Sequence, residues 1–162
     1  MLSFSTTELV IPPRLNSRIL ILQKCPLLPE EILSINGALF ALDIALSKYT
    51  ALNPHMRLNL VFTEHNTVNI YSAKSGLLGT QFNLAVYFVK HWRENKLDQF
   101  MMALTIIEEF CHYFWLIRDE ILVLDKAREI LDVLIPSDDV RQAFDQRIQD
   151  MKEVRRRGYP DH

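Results

Sequence analysis

Glycine occurs only four times in the 162 residues, as Gly37, Gly76, Gly79 and Gly158. Folds that hold nucleotides through their backbone place glycines where the chain must touch a phosphate. Neither G-x-G-x-x-G nor G-x-x-x-x-G-K-[ST] occurs anywhere in the chain. The scarcity of glycine therefore predicts that the chain uses no nucleotide cofactor of these types.

The overall composition is typical of one globular domain. The apolar fraction is 49%, the charged fraction is 23% and the net charge is −2, so we expect no nucleic-acid partner, since phosphate binding needs clustered Lys and Arg. No apolar run reaches the roughly 18 to 20 residues that cross a bilayer, so no membrane partner is expected. Two cysteines are too few for a disulfide framework, and a cytoplasmic location is the simplest fit.

Hydrophobic periodicity predicts an α+β fold in a single domain. We expect an irregular segment over residues 1–25 with one strand at 18–23, and then a helix over Pro29–Lys48. Strands are expected at 57–62, 67–72 and 82–89, which gives a small sheet of three to four strands. Helices follow from residue 98, with a start signal at Asn95 and Asp98, and from residue 137, where Ser137 is expected to cap the last helix.

The apolar helix that begins near residue 98 carries the sharpest candidate site, an E-E-x-x-H motif over residues 108–112. At about 100° per residue, Glu108, Glu109 and His112 share one arc of this helix. Two interpretations need no metal: a narrow solvated face, or a hydrogen-bonded pair of Glu108 and His112. The apolar positions change phase downstream, which predicts a break at 118–120 with Asp119 capping the next helix.

These residues resemble the H-E-x-x-H helix of zincin metallopeptidases, with the first histidine replaced by Glu108. The acidic pair Asp119 and Glu120 resembles the third-ligand region of the compact bacterial H-E-x-x-H-x-x-G-x-x-D-E proteins. The resemblance implies a zincin-like core over residues 26–118, followed by C-terminal helices over 119–162. It also implies that Glu108, His112 and either Asp119 or Glu120 bind a divalent Zn, Mn or Fe ion, and that Glu109 is the general base.

The sequence departs from the family pattern in ways that bear on activity. Trp115 stands where the compact motif has glycine, so the chain turn is expected at 118–120 instead, and the acidic pair comes one residue late. Two carboxylates and one imidazole would also make a bound ion a weaker Lewis acid than the usual set. The expected hydrolase activity is therefore weak or absent.

Two functions follow from this reasoning. One is a zincin-like enzyme, or former enzyme, that holds a peptide along the edge of the strand at 82–89. The alternative is a non-catalytic protein-binding or regulatory module of bacterial origin on the same scaffold, which uses the same groove or an aromatic surface of Tyr113, Phe114 and Trp115. The segment from His91 to Glu94 is expected to be no more than a solvated entry to the next helix. The partner in both cases is a peptide or protein, and the sequence leaves the oligomeric state open.

Overall fold

The computed structural model of the chain describes residues 7–65, 83–132 and 137–157. The elements are β1 (Ile19–Gln23), α1 (Pro29–Lys48), β2 (Leu58–Thr63), β3 (Leu84–Phe88), α2 (Val89–Glu94), α3 (Gln99–Phe114), α4 (Glu120–Asp132) and α5 (Asp138–Arg156), with a 3-10 turn at Pro13–Leu15. This mixture of helices and a small sheet confirms the α+β class. The strand predicted at 67–72 and three of the four glycines, Gly76, Gly79 and Gly158, lie outside the described residues.

The three described strands form one parallel sheet in the order β1-β2-β3. Ile19 is paired with Leu58, and Phe62 is paired with Tyr87. Because side chains alternate across a strand, one face of the sheet enters the core, through Ile19, Leu58, Leu60, Phe62, Ala85 and Tyr87. The opposite face is unevenly covered, since Leu20 is 54% and Phe88 37% exposed whereas Val61 and Thr63 are buried.

Helix α1 begins at Pro29 and ends at Lys48, as predicted. Proline suits the first helical position because its missing N–H would have no partner there. A Glu31 carboxylate oxygen accepts a hydrogen bond of 2.7 Å from the Leu28 N–H and so helps to fix the helix start. The helix buries Ile35, Leu39 and Leu42 completely, and it connects β1 to the parallel strand β2 as parallel pairing requires.

The segment from His91 to Glu94 forms part of α2, a helix that the sequence did not predict, and it is not simply solvated. Trp92 is buried beside Phe62 and Tyr87. Arg93 donates to both carboxylate oxygens of buried Glu31, at 2.8 and 3.0 Å, and also binds Glu64 and the Pro26 carbonyl. The segment therefore ties β3 to the start of α1.

The motif helix α3 begins one turn later than its first start signal. Asp98 is the N-cap, and its Oδ1 accepts from the Met101 N–H at 2.8 Å. Asn95 instead ends α2, so its predicted role at the start of α3 is wrong. Helix α3 packs against α1 through a core that includes Leu104, Ile107 and Phe110.

The break between α3 and α4 lies at residues 115–119. Asp119 caps α4 as predicted, since its Oδ1 accepts from the backbone N–H groups of Ile121 and Leu122. The reversal itself occurs earlier than the predicted 118–120, because Leu116 adopts the left-handed conformation with φ of 54°. Leucine thus takes a backbone conformation that usually favours glycine.

Helices α4 and α5 complete the core and pack against each other. Phe144 and Ile148 are the buried residues of α5. Ion pairs connect the two helices, including Arg128 with Asp145 and Arg141 with Asp132. Ser137 is the N-cap residue of α5, as expected, but its side chain makes no capping hydrogen bond. None of the helices in the described stretches combines the length and apolarity needed to cross a membrane.

Candidate functional site

Helix α3 separates its polar arc from its buried face as the periodicity predicts. Glu108, Glu109 and His112 are partly buried, whereas the opposite side is fully buried, with Ile106, Phe110, Cys111 and Phe114 at 0% exposure. Burial raises the pKa of the Cys111 thiol, which agrees with a packed rather than a reactive cysteine. The polar arc is therefore where any chemistry of this helix must take place.

The His112 ring is fixed by the turn that follows α3. Its Nδ1 lies 2.6 Å from the Ile117 carbonyl oxygen. Since a carbonyl can only accept, Nδ1 carries a proton, and Nε2 is the ring nitrogen that is left for another partner. That nitrogen lies 3.6 Å from Glu120 Oε1. The structure thus brings two of the predicted site residues together, His112 from α3 and Glu120 from the first turn of α4.

Glu108 forms an ion pair with Arg147 of helix α5. Its Oε1 lies 3.5 Å from Arg147 Nη2 on α5, with 20% of the Glu108 side chain exposed. Burial raises the pKa of Glu108, and the Arg147 charge acts in the opposite direction. Glu120, Glu109 and His112 act on it more weakly. The position that would be the first metal ligand is therefore already partnered by a guanidinium group.

Glu109 is a partly buried carboxylate that has no close partner among the described residues. No hydrogen bond or ion pair reaches it from residues 7–65, 83–132 or 137–157. Burial raises its pKa, His112 lowers it and Glu120 raises it. A carboxylate in this state gains from any donor or cation that arrives beside it.

Asp119 is committed to structure at both oxygens. Oδ1 caps α4 through Ile121 and Leu122, and Oδ2 accepts from Arg155 Nη1 at 2.8 Å. The hydrogen bond from the Leu122 N–H lowers the pKa of Asp119, followed by that from Arg155. Of the two acids predicted as alternatives for the third ligand, Glu120 is therefore the one near His112.

A three-ligand metal centre does not fit these side chains as they are arranged. Within the described part of the chain, no group of three or more His, Cys, Asp or Glu side chains is placed to hold a metal ion. Glu108 is paired with Arg147 and Asp119 with Arg155. Metal binding by Glu108, His112 and an acid stays a prediction, and it requires the Glu108–Arg147 pair to open.

The edge of β3 lies beside the polar arc of α3. The Asn59 N–H donates to the Asn83 carbonyl, so residues 83, 85 and 87 face β2 and residues 84, 86 and 88 direct their backbone groups away from it. Tyr113, one turn after Glu109, donates from its hydroxyl to the outward Leu84 carbonyl at 2.9 Å. No described strand pairs with this edge, which leaves the outward groups of Val86 and Phe88 unpaired by any of them.

The Tyr87 hydroxyl lies on the core side of β3. It is buried and has no hydrogen-bond acceptor among the described residues. Burial raises the pKa of Tyr87 well above its usual range, and the charge of Glu109 is the next cause, ahead of Tyr113 and Glu108. The phenol therefore keeps its proton and lies within electrostatic range of both motif glutamates.

The sequence indicated Tyr113 only as part of an aromatic surface with Phe114 and Trp115, and those two side chains are buried. Tyr113 follows Glu109 by four residues and so lies on the same helical face. Two further residues of this site, Tyr87 and Arg147, were not predicted. Tyr87 and Arg147 carry no such signal. They are far from Glu108 and Glu109 in the sequence and come near them only because β3 and α5 pack close to α3. We name the space between the β3 edge and residues Glu109 and Tyr113 of α3 the edge groove.

The chain matches no protein-family model, no curated protein and no solved structure.

Proposed function

We propose that this chain is a peptide-binding domain on a zincin-like scaffold, with a degenerate H-E-x-x-H site that is weak or inactive as a hydrolase. The observation that carries the proposal is the edge groove. An extended peptide needs an open strand edge to pair with, and no described strand pairs with the outward groups of Val86 and Phe88, on the edge that Tyr113 of the motif helix contacts. The pairing of Glu108 with Arg147 supports the loss of hydrolytic function, because it neutralises the first ligand position.

In this proposal the backbone groups of β3 provide the affinity for the peptide, and side chains of helix α3 provide the selectivity. The peptide donates to and accepts from the outward groups of Val86 and Phe88, as an added strand. Tyr113 already occupies the Leu84 carbonyl, so the added strand begins beyond that residue. Glu109 then faces the peptide from α3.

Proline substitution at the edge tests this binding mode. Val86→Pro removes an N–H that points away from the sheet ladder, which an edge strand tolerates. We expect it to abolish binding of extended peptides measured by fluorescence anisotropy, while thermal unfolding shows an intact fold. Gln23→Pro is the matched control, because its N–H lies on the opposite edge of the sheet. Equal binding by wild type and Val86→Pro would refute the proposal.

Metal-dependent hydrolysis is the second candidate, and the orientation of His112 favours it. A metal-binding histidine commonly donates its second N–H to a carbonyl, as His112 does to Ile117. Glu108→His recreates the two-histidine set that the resemblance implies. We expect this variant to bind Zn²⁺ in isothermal titration calorimetry and the double variant Glu108→His, His112→Ala to lose that binding. If Glu108→His takes up no zinc, the zincin-like interpretation of α3 fails.

A further inference from the structure

The two faces of the edge groove would meet different side chains of a bound strand. In an added β-strand, a residue opposite Val86 or Phe88 points to the same face as those side chains, and the residue opposite Tyr87 points to the other face. Tyr87 lies on the core face, and α3 is joined to the same strand by the 2.9 Å hydrogen bond from the Tyr113 hydroxyl to the Leu84 carbonyl. A bound peptide therefore alternates between the α3 side and the outer face of the sheet.

The α3 side of the groove is acidic. Glu109 lies one helical turn before Tyr113, whose hydroxyl binds β3, and no cation among the described residues forms an ion pair with Glu109. Glu108 is compensated by Arg147, whereas Glu120 adds negative charge within electrostatic range of Glu109. A basic side chain opposite Tyr87 would thus meet an uncompensated, partly desolvated carboxylate, where a charge-assisted hydrogen bond is stronger than at an open surface.

The outer face of the sheet is apolar where the peptide would pass. Leu84 and Val86 are partly exposed, and Phe88 is 37% exposed. Charged side chains are not found on this face of β3. Apolar peptide residues opposite Val86 and Phe88 would bury part of this area, which stabilises binding in proportion to the area removed from water.

We propose that the ligand of the edge groove is an extended peptide with a central Lys or Arg between two apolar residues. This specificity rests on the proposed function, since it assumes that the peptide pairs with β3. The basic residue binds Glu109, and the flanking residues cover Val86 and Phe88. A preference that alternates between apolar and basic residues along the peptide distinguishes the edge groove from a surface that attracts any cationic chain.

The test uses synthetic ten-residue peptides with the central triplet Val-Lys-Val, Val-Gln-Val or Ser-Lys-Ser, measured by fluorescence anisotropy on the full chain. We expect the first peptide to bind about tenfold more tightly than the second, as one charge-assisted hydrogen bond gives. The serine peptide is expected to bind more weakly than Val-Lys-Val as well. Glu109→Gln should remove the preference for Lys over Gln, and Glu30→Gln, a change at an exposed acid on α1, should leave it unchanged.

The outcomes separate the specificity from the binding mode. If Val-Lys-Val and Val-Gln-Val bind equally to wild type and Val86→Pro abolishes both, the specificity is wrong and strand addition stands. If no peptide binds, the proposed function itself fails. Peptides methylated at single backbone nitrogens provide a test that leaves the protein unchanged. Methylation of a nitrogen whose N–H points towards β3 should abolish binding. Methylation of the nitrogen of the neighbouring residue, whose N–H points away from β3, should not.

Discussion

At the scale of single residues, Asp119 shows why a plausible ligand can be unavailable. The sequence places it correctly, at the first turn after the motif helix, and predicts its capping role. Capping directs one oxygen at the α4 backbone, and Arg155, 36 residues further on, binds the other. Because one oxygen of Asp119 caps α4 and the other binds Arg155, neither oxygen is available to His112.

Replacing Asp119 measures the capping role directly. Asp119→Ala should lower the free energy of unfolding by about 1 kcal/mol, and Asp119→Asn by less, because asparagine caps nearly as well as aspartate. Urea denaturation of both variants gives the comparison. Equal losses would show that the charge, not the cap, accounts for the stabilisation.

The same residue predicts a pH dependence. Its pKa is lowered in the folded chain, so its charge-dependent stabilisation is complete at neutral pH and above the unfolded pKa of about 3.9. That part is lost as the pH falls through the lowered folded pKa. The stability difference between wild type and Asp119→Asn should therefore shrink on acidification below about pH 4. A difference that stays constant there would mean that the charge of Asp119, which the Leu122 N–H and Arg155 stabilise, contributes nothing to stability.

Leu116 is a second residue at which local geometry departs from expectation. Its left-handed backbone, with φ of 54°, crowds the Cβ of any L-residue. Comparing Leu116→Gly with Leu116→Ala isolates that effect, since both remove the leucine side chain. We expect the glycine variant to be more stable by about 1 kcal/mol in thermal or urea unfolding. If alanine is equally stable, the turn does not hold the left-handed conformation in solution.

At the scale of elements, regular periodicity predicted α1, the three described strands and the motif helix well. Helix α1 was predicted to its ends because proline, acidic residues and one apolar stripe agree. Helix α2 was not found, because six residues from Val89 to Glu94 are too short to show a helical period. Its Trp92 and Arg93 are held by tertiary contacts with Phe62 and Glu31, which no local pattern shows.

The contact between α2 and α1 is expected to be a major source of stability. Arg93→Met leaves the carboxylate of Glu31, 2% exposed, without its guanidinium partner. Breaking a buried pair on one side costs about 3 to 5 kcal/mol, which should appear as a large loss in the midpoint of urea unfolding. Lys90→Met is the control, because its pair with Glu94 is exposed and should contribute at most about 1 kcal/mol. Similar losses in both variants would contradict the role of Arg93.

At the scale of the whole molecule, the site is assembled from parts that are distant in the sequence. The α3 arc of Glu108, Glu109 and His112 could be predicted from spacing alone. Arg147 reaches Glu108 from α5, and Tyr87 on β3 lies within electrostatic range of Glu109. These two interactions add a cation and a buried phenol to the surroundings of the motif. Only the packing of β3 and α5 against α3 reveals them.

Amide hydrogen exchange at Val86 and Phe88 tests the central claim, that an extended peptide pairs with the edge of β3. The measurement compares the free chain with the chain saturated by the Val-Lys-Val peptide, using NMR to follow individual amides. We predict slower exchange of the Val86 and Phe88 N–H groups in the complex and no change at Gln23 on the opposite edge. Unchanged exchange at Val86 and Phe88 with peptide bound would contradict the claim.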